Sequence, residues 1–201
     1  WLRHGPTIFR ASGNLLMQYM LIGIFVIVFN AAGYMMSCVY LSVPQVLMLN
    51  YTFPIVTMAG SAFFTGERPT SVQVISAFMV LLGLYIGFVM GKGSGGSISL
   101  AGVAWAGLSV IGLAGQALLS RRVSRTGRSD PLIQLFYSHL LGGIILIIVK
   151  TLWGGWSDLA VLSPQVFALM QYPAMISALI GYGLLFSALK YIPASLGSLI
   201  C

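Results

Sequence analysis

The sequence predicts an all-α integral membrane protein, a multi-pass bundle of helices, on three observations. Hydrophobic residues fill 58% of its 201 positions and charged residues 6%, whereas about a quarter of a soluble domain is charged. The apolar residues fall into runs of about 20, the number a helix needs to cross a hydrocarbon core of about 30 Å. Those runs are twice a barrel strand's length and lack period-two alternation, which argues against a β-barrel. With 10 basic and 3 acidic side chains, no soluble globule of this length covers its outside in polar groups. No polar stretch is long enough to hold a separate soluble catalytic domain.

Six spans are expected, each bounded by punctuation. The first runs from Met17 to Tyr40 and stops at Leu41-Ser42-Val43. The second, Pro44 to Thr65, opens on a proline, whose missing N–H costs nothing in a first turn. Thr70 and Gln73 form a capping box ahead of the third, Ser71 to Met90. The glycine-rich stretch 91–97 links it to the fourth, Leu100 to Ser120, which the basic segment 121–131 ends. The fifth is Leu132 to Trp153, closed by Gly154, and the sixth is Phe167 to Leu189. A seventh begins after Pro193. The chain starts at Trp1 with no signal-peptide pattern and stops at Cys201 inside an apolar run, so a piece of a longer protein is expected.

Placing successive loops on alternate sides puts Arg3, Arg10, Arg68, Arg121, Arg122, Arg125, Arg128 and Lys190 on one side, and Lys92 and Lys150 on the other. That asymmetry predicts a cytoplasmic arginine segment 121–130 in a plasma membrane, of the bacterial inner-membrane kind. The same distribution argues against nucleic acid as a partner, because the basic residues sit in short loops between apolar runs. Cys38 and Cys201 have no metal-ligand spacing. Expected partners are membrane lipid and a small-molecule substrate.

A weak internal repeat is present. Gly33-Tyr34 through Pro44 at the end of the first span resembles Gly181-Tyr182 through Pro193 at the end of the sixth, with one residue inserted. Five spans separate the copies, and an odd separation inverts their topology, as in the inverted repeats of secondary transporters.

Between Tyr40 and Gly83, the succession Leu41-Ser42-Val43-Pro44, Asn50-Tyr51-Thr52-Phe53-Pro54, Gly66-Glu67-Arg68 and Gln73 resembles the half-repeat of the EamA family in the drug/metabolite transporter superfamily. Gly102-Val103-Ala104-Trp105-Ala106, Ser120-Arg121-Arg122 and Phe136-Tyr137 are similar to the opening of that family's second repeat. The resemblance implies two inverted five-helix repeats truncated at both ends: residues 1–90 close the first repeat, 91–97 link, and 98–201 open the second. The chain would then hold helices three to eight of ten and the start of the ninth. Ser76 stands where the family commonly has glycine, and Gln116 where it often has an aromatic or small residue; both departures bear on the substrate.

Polar groups are costly at membrane depth and therefore informative. Candidates for a substrate cavity are Asn30, Tyr34, Asn50, Tyr51, Gln116, Tyr137, His139 and Tyr182. The alternative for Asn30 and Asn50 is an amide bond between neighbouring helices, and for Tyr34 and Tyr182 it is helix packing. His139 is an intramembrane group able to carry a proton, or else a neutral histidine bonded to a neighbour. Glu67 reads as structural, pairing with Arg68 or favouring the positive end of the next helix. Pro44, Pro54, Gly66 and Pro193 are structural motif residues, and Pro54 with Asn50 one turn earlier makes a polar break. Lys150 and Lys190 snorkel, and Trp153, Trp156 and Tyr172 fit an interfacial belt.

No Asp or Glu falls inside a span, since Asp130 and Asp158 are in loops. Proton coupling would then use His139, or a carboxylate outside this chain, unless the protein is an exchanger or facilitator. Catalytic residues, metal ligands and cofactors are not expected. The leading expectation is a secondary transporter exporting a small neutral, zwitterionic or aromatic metabolite by alternating access. An integral-membrane enzyme on a lipid-soluble substrate and a non-transporting scaffold are the alternatives.

Overall fold

A computed structural model describes residues 13–90, 99–126, 130–157, 159 and 162–200. Arg3, Arg10, Lys92, Arg128, Asp158 and Cys201 lie outside them. Among the described residues all regular structure is helical. In chain order the helices are α1 Gly13–Tyr40, α2 Val43–Phe64, α3 Ser71–Met90, α4 Leu100–Arg125, α5 Pro131–Trp153, α6 Pro164–Ala188 and α7 Ala194–Ile200. All but α3 and α7 are long and apolar enough to cross a membrane on the described residues alone.

The helix starts follow from their first residues. Ser42 N–H donates to Gln45 Oε1 at 2.9 Å, and Thr70 N–H donates to Gln73 Oε1 at the same distance, so the Thr70 capping box is matched by one at Ser42. Asp130 accepts from Leu132 N–H at 2.8 Å and Ser163 from Val166 N–H at 3.3 Å. Pro44, Pro131 and Pro164 occupy first turns, where no intrahelical donor is lost. Gly66, between α2 and α3, holds φ +68°, a left-handed conformation that favours glycine.

Two boundaries differ from expectation. Helix α4 continues past Ser120 through Arg125, because arginine is a good helix former and its charge favours the negative end of the helix. Helix α6 starts at Pro164, so Tyr172 sits more than two turns inside it and not at its end.

Three helices are irregular. Helix α2 breaks at Tyr51-Thr52 between Val43–Asn50 and Phe53–Phe64; Pro54 has no N–H for the Asn50 carbonyl, and Thr52 N–H donates to Leu49 O instead, at 3.1 Å. Helix α1 is π-helical over Ile24–Ala32, and α6 over Ser177–Gly181. The π segment of α1 ends just before Gly33-Tyr34, and that of α6 ends on Gly181, the first residue of Gly181-Tyr182.

Helix α4 is the hub. Half of its apolar window is buried, against 28% or less in every other candidate span. It packs on α1 through glycines: a Cβ on Gly33 would lie 2.8 Å from Ser109 N, and one on Gly112 would lie 2.5 Å from Asn30 N. Gly23 and Gly142 meet in the same way between α1 and α5. Such close backbone approach is how helices associate in lipid, where burying apolar surface gains little. The apolar core gathers Tyr19, Ile22 and Val26 of α1, Leu118 and Val123 of α4, Leu135 of α5 and Phe186 of α6. Elsewhere large side chains face outward, as Val72, Ile75, Phe78, Met79 and Leu82 do along α3, which suits a surface bathed in hydrocarbon.

Candidate functional site

Three helices share one hydroxyl. Ser109 Oγ of α4 lies 2.7 Å from Asn50 Oδ1 of α2 and 3.0 Å from Asn30 Oδ1 of α1. Asn50 Nδ2–H donates to Val46 O at 3.1 Å, which fixes that amide and makes its oxygen the acceptor for Ser109. A hydroxyl has one hydrogen. The Asn30 contact is therefore satisfied with its amide turned over, Nδ2–H donating to Ser109 Oγ, an orientation equivalent in shape. Asn30 lies within the π segment of α1 and Asn50 precedes the break in α2, so two backbone irregularities converge on Ser109.

A cavity of about 410 Å³ lies between α2, α4, α6 and α7, lined by Phe53, Gln116, Ser177, Gly181, Tyr182 and Ser198 among others. The π segment of α6 forms part of its wall, and such segments occur often at functional sites. Among the described residues no charged side chain lines it. Gln116 is 1% exposed, and neither its Nε2 nor its Oε1 has a hydrogen-bond partner. A buried amide left so costs about 1–3 kcal/mol per unmade bond. One turn on, Ser120 Oγ is also buried and unpartnered.

Of the eight cavity candidates, Gln116 and Tyr182 line this space. Asn30 and Asn50 form the Ser109 node. Tyr137 stacks on Tyr19 with ring centroids 6.0 Å apart, against the apolar core. His139 lines a second, apolar space of about 410 Å³ with Leu135 of its own helix and Ala178 of α6. Its Nδ1–H donates to Leu135 O at 3.0 Å, and its ring lies edge-on to Tyr182 at 5.2 Å, so it touches the wall of the Gln116 cavity from behind. Tyr51 is 57% exposed at the α2 break. Tyr34, the sequence counterpart of Tyr182, is half-buried on α1 and lines neither space.

At the arginine end of the helices an ionic clasp joins distant segments. Arg121 Nη2 lies 2.8 Å from Glu67 Oε1, with the two side chains 12% and 16% exposed. Arg121 Nη1–H donates to Leu189 O at 2.9 Å and to Lys190 O at 3.0 Å. Arg125 Nη1–H donates to Thr65 O at 2.6 Å, and Thr65 Oγ1–H to Glu67 Oε2 at 3.3 Å. Glu67 thus pairs with Arg121 and not with Arg68, because α4 brings a guanidinium to a half-enclosed carboxylate while Arg68 points outward. Gln116 and Arg121 are five residues apart on α4, about 7.5 Å along its axis, so the clasp sits just beyond the cavity. Lys150 lies over the Trp156 ring at 5.5 Å and Lys190 over Tyr191 at 6.0 Å.

Sequence reasoning missed Ser109, Ser120 and Arg121 as site residues. A lone serine in an apolar run carries no signal of its own, and Arg121 read as one of several topogenic charges. The only available hint was the spacing on α4, where Ser109, Gln116 and Ser120 recur at helical intervals.

The EamA-like transporter family model matches residues 1–89 and 100–201. No curated protein matches the chain. With apolar helices long enough to span a bilayer and a match over nearly its whole length, the chain belongs to the EamA-like transporter family and is a multi-pass membrane transporter protein.

Proposed function

We propose that this protein is a secondary carrier that exports a small neutral, zwitterionic or aromatic metabolite by alternating access, using the cavity at Gln116 as its binding site. The observation that carries this reading is the buried Gln116 amide without a partner in the wall of a cavity of about 410 Å³. Small-molecule sites span about 300–1,000 Å³ and combine apolar walls with a few placed polar groups. Among the described residues the lining has no acid to balance a cation, and desolvating an unpaired charge there costs several kcal/mol.

Inverted halves fit the repeat: α1 and α6 each carry a π segment at a Gly-Tyr pair, and the odd separation of five spans gives the two copies opposite topology. The Glu67–Arg121 clasp closes the cavity on the arginine side, and its release opens that side. This end faces the cytoplasm of a plasma membrane, by the charge asymmetry; a reporter fused after Arg68 reads out there, and the opposite result reverses the orientation. His139, beside Tyr182, is the titratable group within the described spans placed to couple a proton. Export follows the family resemblance.

Counterflow into proteoliposomes tests the reading. Vesicles preloaded with a mixed pool of amino acids and aromatic metabolites should accumulate one labelled member in exchange. A preference for quaternary ammonium dyes, or no exchange of any compound, contradicts it.

A further inference from the structure

Away from the Gln116 cavity, a groove of about 350 Å³ lies between α1, α2 and α4. Among the described residues its lining is wholly apolar: Leu21 and Phe25 of α1, Val56 and Phe64 of α2, and a stripe of α4 from Ile111 to Leu118. Leu21, Val56, Phe64 and Ile111 are each 40% or more exposed, and all three helices are candidate membrane spans. The groove therefore opens sideways into hydrocarbon. Left empty it would forfeit contacts along its whole wall, so an apolar chain fills it.

One end of the groove is charged. On α4 the lining recurs at helical spacing, through Ile111, Ala114, Gly115 and Leu118, and the same stripe continues into Arg122 and Arg125. A hydrogen bond places that end independently: Arg125 Nη1–H donates to Thr65 O at 2.6 Å, and Thr65 directly follows the groove residue Phe64. Helix α1 runs antiparallel past α4, with Gly33 against Ser109 and Phe25 against Gly115, so its stripe continues from Leu21 to the amides Gln18 and Asn14 at the same end. Arg122 is exposed and has no hydrogen-bond or ion-pair partner among the described residues. The acids of this end are committed elsewhere, Glu67 chiefly to Arg121, with Arg125 at 4.0 Å, and Asp130 to the first turn of α5. From Ile111 to Arg122 is eleven residues, about 16 Å along the axis, close to one leaflet's share of a hydrocarbon core of about 30 Å.

An apolar groove one leaflet long, with unbalanced guanidinium charge where it meets the interface, matches a lipid that carries a negative head. We propose that the groove holds a phospholipid with an anionic headgroup, one acyl chain lying between α1, α2 and α4 and the phosphate bound by Arg122 and Arg125. The guanidinium fork suits phosphate oxygens, and basic recesses between spans hold acidic headgroups in this way.

The test counts lipid bound to the intact full-length protein by native mass spectrometry, titrating phosphatidylglycerol and phosphatidylcholine with the same acyl chains. Phosphatidylglycerol should bind about fivefold or more tighter, the attraction of at least one basic residue. Arg122→Gln, at an arginine that makes no bond within the described fold, should lower that affinity about fivefold and leave phosphatidylcholine unchanged. Lys190→Gln removes a charge on the connection between α6 and α7 and should change neither. Glycerol 3-phosphate, a head without chains, should not displace the lipid, and a photo-crosslinker at Ile111 should form an adduct with phospholipid in vesicles of the two lipids. Equal binding of the two lipids, or equal effects of Arg122→Gln and Lys190→Gln, overturns the proposal. Displacement by glycerol 3-phosphate overturns it too, since the site is then one for free phosphate. A crosslink from Ile111 to protein puts another helix or a second copy in the groove and overturns it, as does no crosslink at all.

Discussion

Glu67 and Arg121 are 54 positions apart, yet their 2.9 Å bond from Nε–H to Oε1 is one of the few charged contacts in a nearly uncharged molecule. The side chains are mostly enclosed, so removing the carboxylate charge leaves a guanidinium facing neutral oxygen acceptors alone, two of them backbone carbonyls. Glu67→Gln should cost about 2–3 kcal/mol, below the full penalty for breaking a buried pair because some solvent reaches both partners. Thermal unfolding in detergent measures this, and an unchanged midpoint shows that the clasp holds nothing. Ser109→Ala should cost about 1–2 kcal/mol, since it strips the acceptor Asn50 Oδ1 and the Asn30 amide of their shared partner. A cost below about 0.3 kcal/mol means that water replaces the hydroxyl and the node is not dry.

At the scale of helices, glycine contacts set how closely α4 approaches its neighbours. A Cβ on Gly112 would meet Asn30 N at 2.5 Å and Phe25 O at 2.7 Å, both backbone atoms that cannot turn aside, whereas Gly107 on the same helix has nothing within 4 Å. Gly112→Ala should therefore destabilise by about 1–3 kcal/mol through overpacking, while Gly107→Ala should be neutral or stabilising by up to about 1 kcal/mol through helix propensity. Equal effects of the two show that α1 and α4 are not in close contact. Helix positions were legible in the sequence because a membrane span needs about 20 apolar residues whatever its surroundings. The α2 break was legible too, through Pro54, which removes a donor wherever it stands. The π segments were not, because Ile24–Ala32 contains no residue that forces a shifted hydrogen-bond register; that depends on what the helix packs against. The partner of Glu67 was equally hidden, since adjacency in sequence favoured Arg68 and only the crossing of α4 brings Arg121 to the loop.

At the scale of the whole molecule, the hub helix α4 links three features in order: the Ser109 node, the Gln116 cavity and the Arg121 clasp. Of the α4 residues at these features only Gln116 was marked from sequence, while Asn30, Asn50 and Glu67 were marked without their α4 partners, because depth in a span is readable from position along a run, whereas the surroundings of a side chain are not. The central claim is that the cavity opens alternately to the two sides, with the clasp closing the arginine side. Thiol labelling at position 177 tests it most directly, because Ser177 lies in the cavity wall on the π segment of α6. With Cys38 and Cys201 replaced by serine, Ser177→Cys should react with a membrane-impermeant maleimide applied to either face of oriented vesicles, and Glu67→Gln should raise the rate from the arginine face by about tenfold or more, as loss of a contact worth about 2–3 kcal/mol implies. Labelling from one face only, or from neither, contradicts alternating access through this cavity.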